Sequence, residues 1–185
     1  ILKNLGWYAY KMIYQAALST DALKGDAILG AMLEARKIPD SRRIMDHLGN
    51  TQVEKVFELS RNVGDEVHRW LQFLRFGELE NGIMFSRFEP KNRVLTCVAP
   101  HFADRFCLEN WMIYDETHQE YVVHEARKQW VLVTGGELNE ELVGKYSDRE
   151  RMFRELWHRF TDSIAIEERR NPGCQMGHLP LWYRK

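Results

Sequence analysis

From residue 51 to about residue 76, apolar residues recur every three or four positions, at Val53, Val56, Val63, Val67, Trp70 and Leu74, with Ser60 in the same row. A strand sets its side chains on alternate faces, so only a helix gathers this set into one stripe. The spacing predicts one long helix of about seven turns, opened by a Thr51-x-x-Glu54 capping box. Two further stripes run along it: Arg61, His68, Gln72 and Arg75, then Glu66, Arg69, Phe73 and Phe76. These read either as a solvated face laced with i,i+3 and i,i+4 ion pairs or as the border of a site. His68, Arg69 and Arg75 carry the second reading, because phenylalanines beside arginines are uncommon on a purely solvated surface.

Helical spacing also marks the first fifty residues. Leu5, Tyr8, Met12 and Ala16 form one set, and Leu23, Ile28, Leu29, Met32 and Leu33 form another behind a cap at Thr20 or Asp21. A short third helix over residues 41–48 stops at Gly49 and Asn50. The periodicity then changes. After the Asn81-Gly82 turn, IMFSRFE suits a strand that Pro90 ends. Val94, Leu95, Val98, Phe102 and Phe106 return to helical spacing, with Pro100 either dividing two short helices or sitting in the first turn of a new one. Residues 111–115, 121–124 and 130–133 read as three more strands. Ser147-x-x-Glu150 is a second capping box, opening a helix with Met152, Phe153, Leu156, Trp157, Phe160 and Ile164 on its buried side. Pro172, Gly173, Gly177 and Pro180 then break the chain into an ordered tail. The expected fold is α+β, in a single domain spanning residues 1–185. It comprises a helical scaffold in residues 1–50, one long helix, an antiparallel sheet of about four strands, and a C-terminal helix.

With 185 residues the chain supports one full core, burying roughly 70% of its unfolded surface. No apolar run approaches the roughly 20 residues that cross a bilayer, so no membrane partner is expected. Cys97, Cys107 and Cys174 are an odd, widely spaced set, which argues for buried thiols in a reducing compartment, the cytoplasm. The seven histidines are scattered without His-x3-His spacing, so neither a metal nor another cofactor is predicted. Net charge is −1, which gives no global signal for nucleic acid. The distribution is uneven, however: residues 149–185 hold eight Lys and Arg against five Asp and Glu. That modest tilt suits a polyanion surface at the C-terminal end. No P-loop, GxGxxG, HExxH, CxxC pair or GxSxG occurs, so no reaction is named by motif.

Chemistry-bearing residues are densest over residues 81–115. His101, Asp104 and Arg105 lie within five positions bracketed by Phe102 and Phe106, just after a strand carrying Arg87 and Glu89. A histidine with a carboxylate three residues away can act as general base, and arginines can hold phosphate bidentately. The expected catalytic set is His101, Asp104 and Glu89. The alternative is a structural network tying a short helix to the sheet. The tail supplies a second cluster, Glu167, Glu168, Arg169, Arg170, Asn171, Gln175 and His178, with Trp182 and Tyr183 as stacking rings. The expected phosphate or nucleic-acid contacts are Arg87, Arg105, His68, Arg69, Arg75, Arg169, Arg170, Asn171 and His178, with Trp182 or Phe76 stacking on a base.

The strings HRWLQFLRF, FEPKNRVL, APHFADRF, WMIYD and ELWHRFTDSIAIEERRNPGCQMGHLPLWYRK resemble a bacterial family associated with DNA metabolism or repair whose activity is unassigned. Members are encoded beside a radical S-adenosylmethionine protein, and related domains occur fused to uracil-DNA glycosylase-like domains. The resemblance covers roughly residues 53–185, with residues 51–185 as the family core, and its most specific parts are APHFADRF and ERRNP. It implies a DNA-repair context, with DNA and the radical enzyme as partners. It carries over no catalytic residue, and the glycosylase's own loops are absent. The expectation is a DNA- or nucleotide-binding protein working with that radical enzyme. Two alternatives stand beside it: an enzyme on a small anionic substrate with His101 as general base, and an adaptor that recruits the radical enzyme without catalysis.

Overall fold

In a computed structural model describing residues 2–135, 138–166, 168, 171–178 and 180–183, the N-terminal helices meet through small side chains. The chain divides into two compact units, one running to Arg69 and including Pro90–Val94, the other comprising Trp70–Glu89 and the chain from Leu95 on.

The first unit holds α1 (Leu2–Leu18), α2 (Lys24–Ala35), a 3-10 helix at Ser41–Asp46 and most of α3 (Thr51–Phe73). Its core joins Leu5, Ala9, Met12, Ile13 and Ala16 of α1 to Val53, Val56 and Leu59 of α3, with Ile44 and Met45 between them in sequence. The contribution of α2 is Ala27, Ala31 and Ala35 at i, i+4 and i+8, while Leu23, Leu29 and Leu33 are exposed. The expected faces of α1 and α2 are therefore partly wrong: Tyr8 also points outward, and Ala9 and Ile13 take the buried positions. On α2 the packing is tight, since a Cβ on Gly30 would lie 2.6 Å from the Gln52 side chain. The start of α3 is also displaced by one residue. Asn50, not Thr51, is the cap, its Oδ1 accepting from the N–H groups of Gln52 and Val53.

The second unit is a five-stranded sheet of β1 (Gly77–Glu78), β2 (Met84–Phe88), β3 (Trp111–Asp115), β4 (Glu120–His124) and β5 (Val131–Thr134), in that spatial order. The sheet is mixed, not purely antiparallel: β2 and β3 run parallel, Phe85 beside Met112 and Phe88 beside Asp115. The cause is α4 (Leu95–Arg105), the crossover that returns the chain to the starting edge of β2, as a parallel pair requires. Pro100 lies inside this single helix and withholds the N–H that would bond the Thr96 carbonyl. Phe76 meets Phe102, Phe106 and Trp111 edge-on, with centroids 5.1, 5.4 and 6.2 Å away. A smaller cluster on the other face packs Phe85 and Tyr114 with Leu79 and with Val143 of α5 (Glu140–Val143).

Beyond the sheet lie α6 (Asp148–Ile164), α7 (Pro172–His178) and a 3-10 turn at Leu181–Tyr183. The Ser147 cap forms as expected, its hydroxyl accepting from the Glu150 N–H at 3.1 Å. The expected buried side of α6 does not form: none of its residues is buried, and Trp157 is 63% exposed. No helix among the described residues is long and apolar enough to cross a membrane.

Candidate functional site

The exposed C-terminal half of α4 and the loop between β4 and β5 make a polar concavity in the second unit. Pro100, Ala103, Asp104 and Cys107 form one side and Arg127, Lys128, Gln129 and Trp130 the other, around a cleft of about 340 Å³ that His124 also lines. Three backbone N–H groups hold the loop: Arg127 N–H donates to the Cys107 carbonyl at 2.7 Å, Ala126 N–H to the Asn110 side-chain oxygen at 2.9 Å, and Lys128 N–H to the Glu125 carbonyl at 2.9 Å. Arg127 adopts φ +64°, an uncommon conformation for a side chain of this size. The fixed loop presents the Arg127 guanidinium, a carboxamide and an indole beside a carboxylate and a thiol, and the Lys128 ammonium, which pairs with Glu125 at 2.7 Å and for which a phosphate would have to compete. His124 beneath it is 2% exposed, stacks on Trp111 at 4.9 Å and has Nδ1 3.0 Å from the Glu109 carbonyl, so it serves the scaffold.

Of the expected catalytic residues, Asp104 lines this cleft. His101 is exposed on α4 with its ring edge-on to Phe102, centroids 5.1 Å apart, and no hydrogen bond joins it to Asp104 among the described residues. Glu89 follows β2, and its carbonyl accepts from the indole N–H of Trp182 at 2.8 Å. Arg105 lies over the Phe106 ring, 5.6 Å from its centroid. Arg87 is held by Glu140 at 2.7 Å and approaches Glu116 at 3.9 Å, and these carboxylates raise its already high pKa, the hydrogen bond to Glu140 most. A phosphate reaching Arg87 would have to compete with them.

On α3, His68 and Arg69 are exposed within the first unit; Arg75 lies beyond the helix end at Phe73 and is exposed in the second. Phe76 is spent on core rings. Asn171 caps α7, accepting from the Cys174 N–H at 3.0 Å, and His178 ends that helix exposed. Glu167, Arg169 and Arg170 lie outside the described residues. The structure therefore groups Asp104 with Arg127 and Lys128, which the sequence places in a polar turn, and with Trp130, which it places at the start of a strand.

Among the described residues two carboxylates are buried: Glu66, which the sequence places among the candidate residues on a polar stripe, and Asp115, which it does not single out. Glu66, 7% exposed, accepts from the N–H of Lys91 at 2.6 Å, the N–H of Asn92 at 3.1 Å and the Asn92 side chain at 2.6 Å. It clamps Pro90–Val94 onto α3 inside the first unit. Asp115 is fully buried at the end of β3, and His118 engages both of its oxygens: the backbone N–H donates to Oδ1 at 3.0 Å, and Nδ1 lies 2.7 Å from Oδ2. Burial raises the Asp115 pKa, while the contacts with His118 pull it down. The signal in the sequence is Asp-x-x-His directly after a strand, the pattern of a side chain closing its own turn.

An apolar concavity of about 480 Å³ sits on the opposite sheet face, with Met112, Tyr121, Val123, Leu138 and Leu142 among its walls. Among the described residues, no three His, Cys, Asp or Glu side chains converge as metal ligands do.

Neither the curated proteins nor the solved structures include a match to this chain. Residues 24–185 match the family described as a domain of unknown function, DUF4130, a span that takes in α2, α3, the sheet and the candidate cleft. The chain belongs to the DUF4130 family.

Proposed function

We propose that this protein binds DNA or a nucleotide through the cleft between α4 and the β4–β5 loop, as a DNA metabolism or repair protein of the cytoplasm acting with a radical S-adenosylmethionine partner. The observation that carries the binding reading is the juxtaposition of Arg127, Lys128, Gln129 and Trp130 with Asp104 around one cleft. Arginine and lysine supply phosphate contacts, and a tryptophan face stacks on any base. The repair context and the radical enzyme rest on the resemblance alone. In this reading the radical chemistry belongs to the partner, and the protein described here presents the nucleic acid.

The rival enzyme on a small anionic substrate needs His101 enclosed, and its open position on α4 favours the binding reading.

Fluorescence anisotropy with a labelled single-stranded oligonucleotide tests the proposal. Affinity should fall steeply with salt, and Arg127→Ala combined with Lys128→Ala should weaken binding about tenfold or more and lower the salt slope by roughly 2. Absence of binding at low salt, or an unaltered double variant, would remove this reading. Co-purification with the radical enzyme tests the partnership separately.

A further inference from the structure

The helix α6 is attached by the wrong face for a helix of its pattern. Its polar side holds it to the second unit: the Arg154 guanidinium lies 4.0 Å above the Tyr146 ring, and Glu150 accepts from the Glu78 N–H at 3.4 Å. The apolar stripe of Met152, Phe153, Leu156, Trp157, Phe160 and Ile164 is left outward, each side chain 50–63% exposed. Amphipathic helices of globular chains bury such a stripe, and a continuous apolar patch of this extent marks an interaction surface.

We propose that α6 packs antiparallel against α6 of a second copy of this chain. Area is the first argument: the six side chains leave roughly 700 Å² uncovered, close to the ~800 Å² that each partner of a standard interface contributes. Charge is the second. The flanks are neutralised internally, by Arg151 with Asp148, Arg154 with Glu150 and Arg159 with Glu155. Arg149 folds over Phe153, 5.6 Å from its centroid. A nucleic acid or a strongly acidic protein finds no block of unpaired cations here, whereas a second copy meets no like-charge penalty. The third argument is register. A twofold axis between Leu156 and Trp157 sets Phe153 against the partner's Phe160 on either side of the centre, as an isologous interface requires.

Sedimentation velocity of the full chain over about 1–100 µM reads the result directly. The wild type should move from monomer to dimer, and Leu156→Glu with Phe160→Glu should remain monomeric throughout with unchanged far-ultraviolet circular dichroism. Leu156→Gln, a milder change, should weaken dimerisation about tenfold or more. A wild type that stays monomeric at every concentration, or charged variants that dimerise as well as it does, would overturn the proposal.

Discussion

Asp115 and Glu66 are carboxylates placed where water does not reach, and each makes a separate prediction. Because burial raises the pKa of Asp115 in the folded chain, the folded state holds that proton more tightly than the unfolded state. Its contribution to stability is therefore fully present at low pH and is lost as pH rises through the folded value. Denaturant titrations between about pH 4 and pH 7 should show the stability difference between wild type and Asp115→Asn moving in favour of the wild type as pH falls. A difference independent of pH would mean that the carboxylate is solvated. Glu66 binds three N–H groups, so Glu66→Ala should cost about 2–3 kcal/mol by equilibrium unfolding, from donors left without acceptors. At this scale the sequence was only half legible. Glu66 sat in a stripe read as polar, and its neighbours showed no reason for burial, because its partners are two backbone N–H groups and the Asn92 side chain some 25 residues away, which no local pattern advertises.

The elements themselves were easier to read than their orientations. Both capping signals marked real helix starts, although Asn50 takes the cap that Thr51 was expected to provide. The faces of α2 were misread because hydrophobicity ranks leucine above alanine, while close helix packing selects the smaller residue. Ala31→Leu should therefore cost about 1–3 kcal/mol through overpacking, and Leu29→Ala should stay within about 0.5 kcal/mol of wild type, both by thermal or chemical melts. Equal costs would show that the alanine row is not the buried one. In α4, Pro100 is exposed and withholds one helical bond, so Pro100→Ala should stabilise the chain by about 1 kcal/mol or more. The parallel pairing of β2 with β3 followed from a connection long enough to hold a helix, information present in the sequence but not used there. The inverted attachment of α6 had no sequence signal, since its apolar stripe is that of an ordinary core helix.

At the scale of the molecule, the α+β class and the helix-then-sheet order were legible because the apolar period changes from 3.6 to 2 near Asn81. The candidate site was legible only in part. Asp104 stood out by local density, while Arg127, Lys128 and Trp130 join it only once the β4–β5 loop folds back on Cys107. The proposed binding surface lies wholly within the second unit, so its footprint can be mapped without reference to the first. The most direct measurement is backbone amide chemical-shift mapping while a short single-stranded oligonucleotide is titrated into isotope-labelled protein. The account predicts perturbations concentrated at residues 100–107 and 125–130, with the indole resonance of Trp130 among the largest. Perturbations confined to α3 or to the tail, or none at low salt, would contradict it.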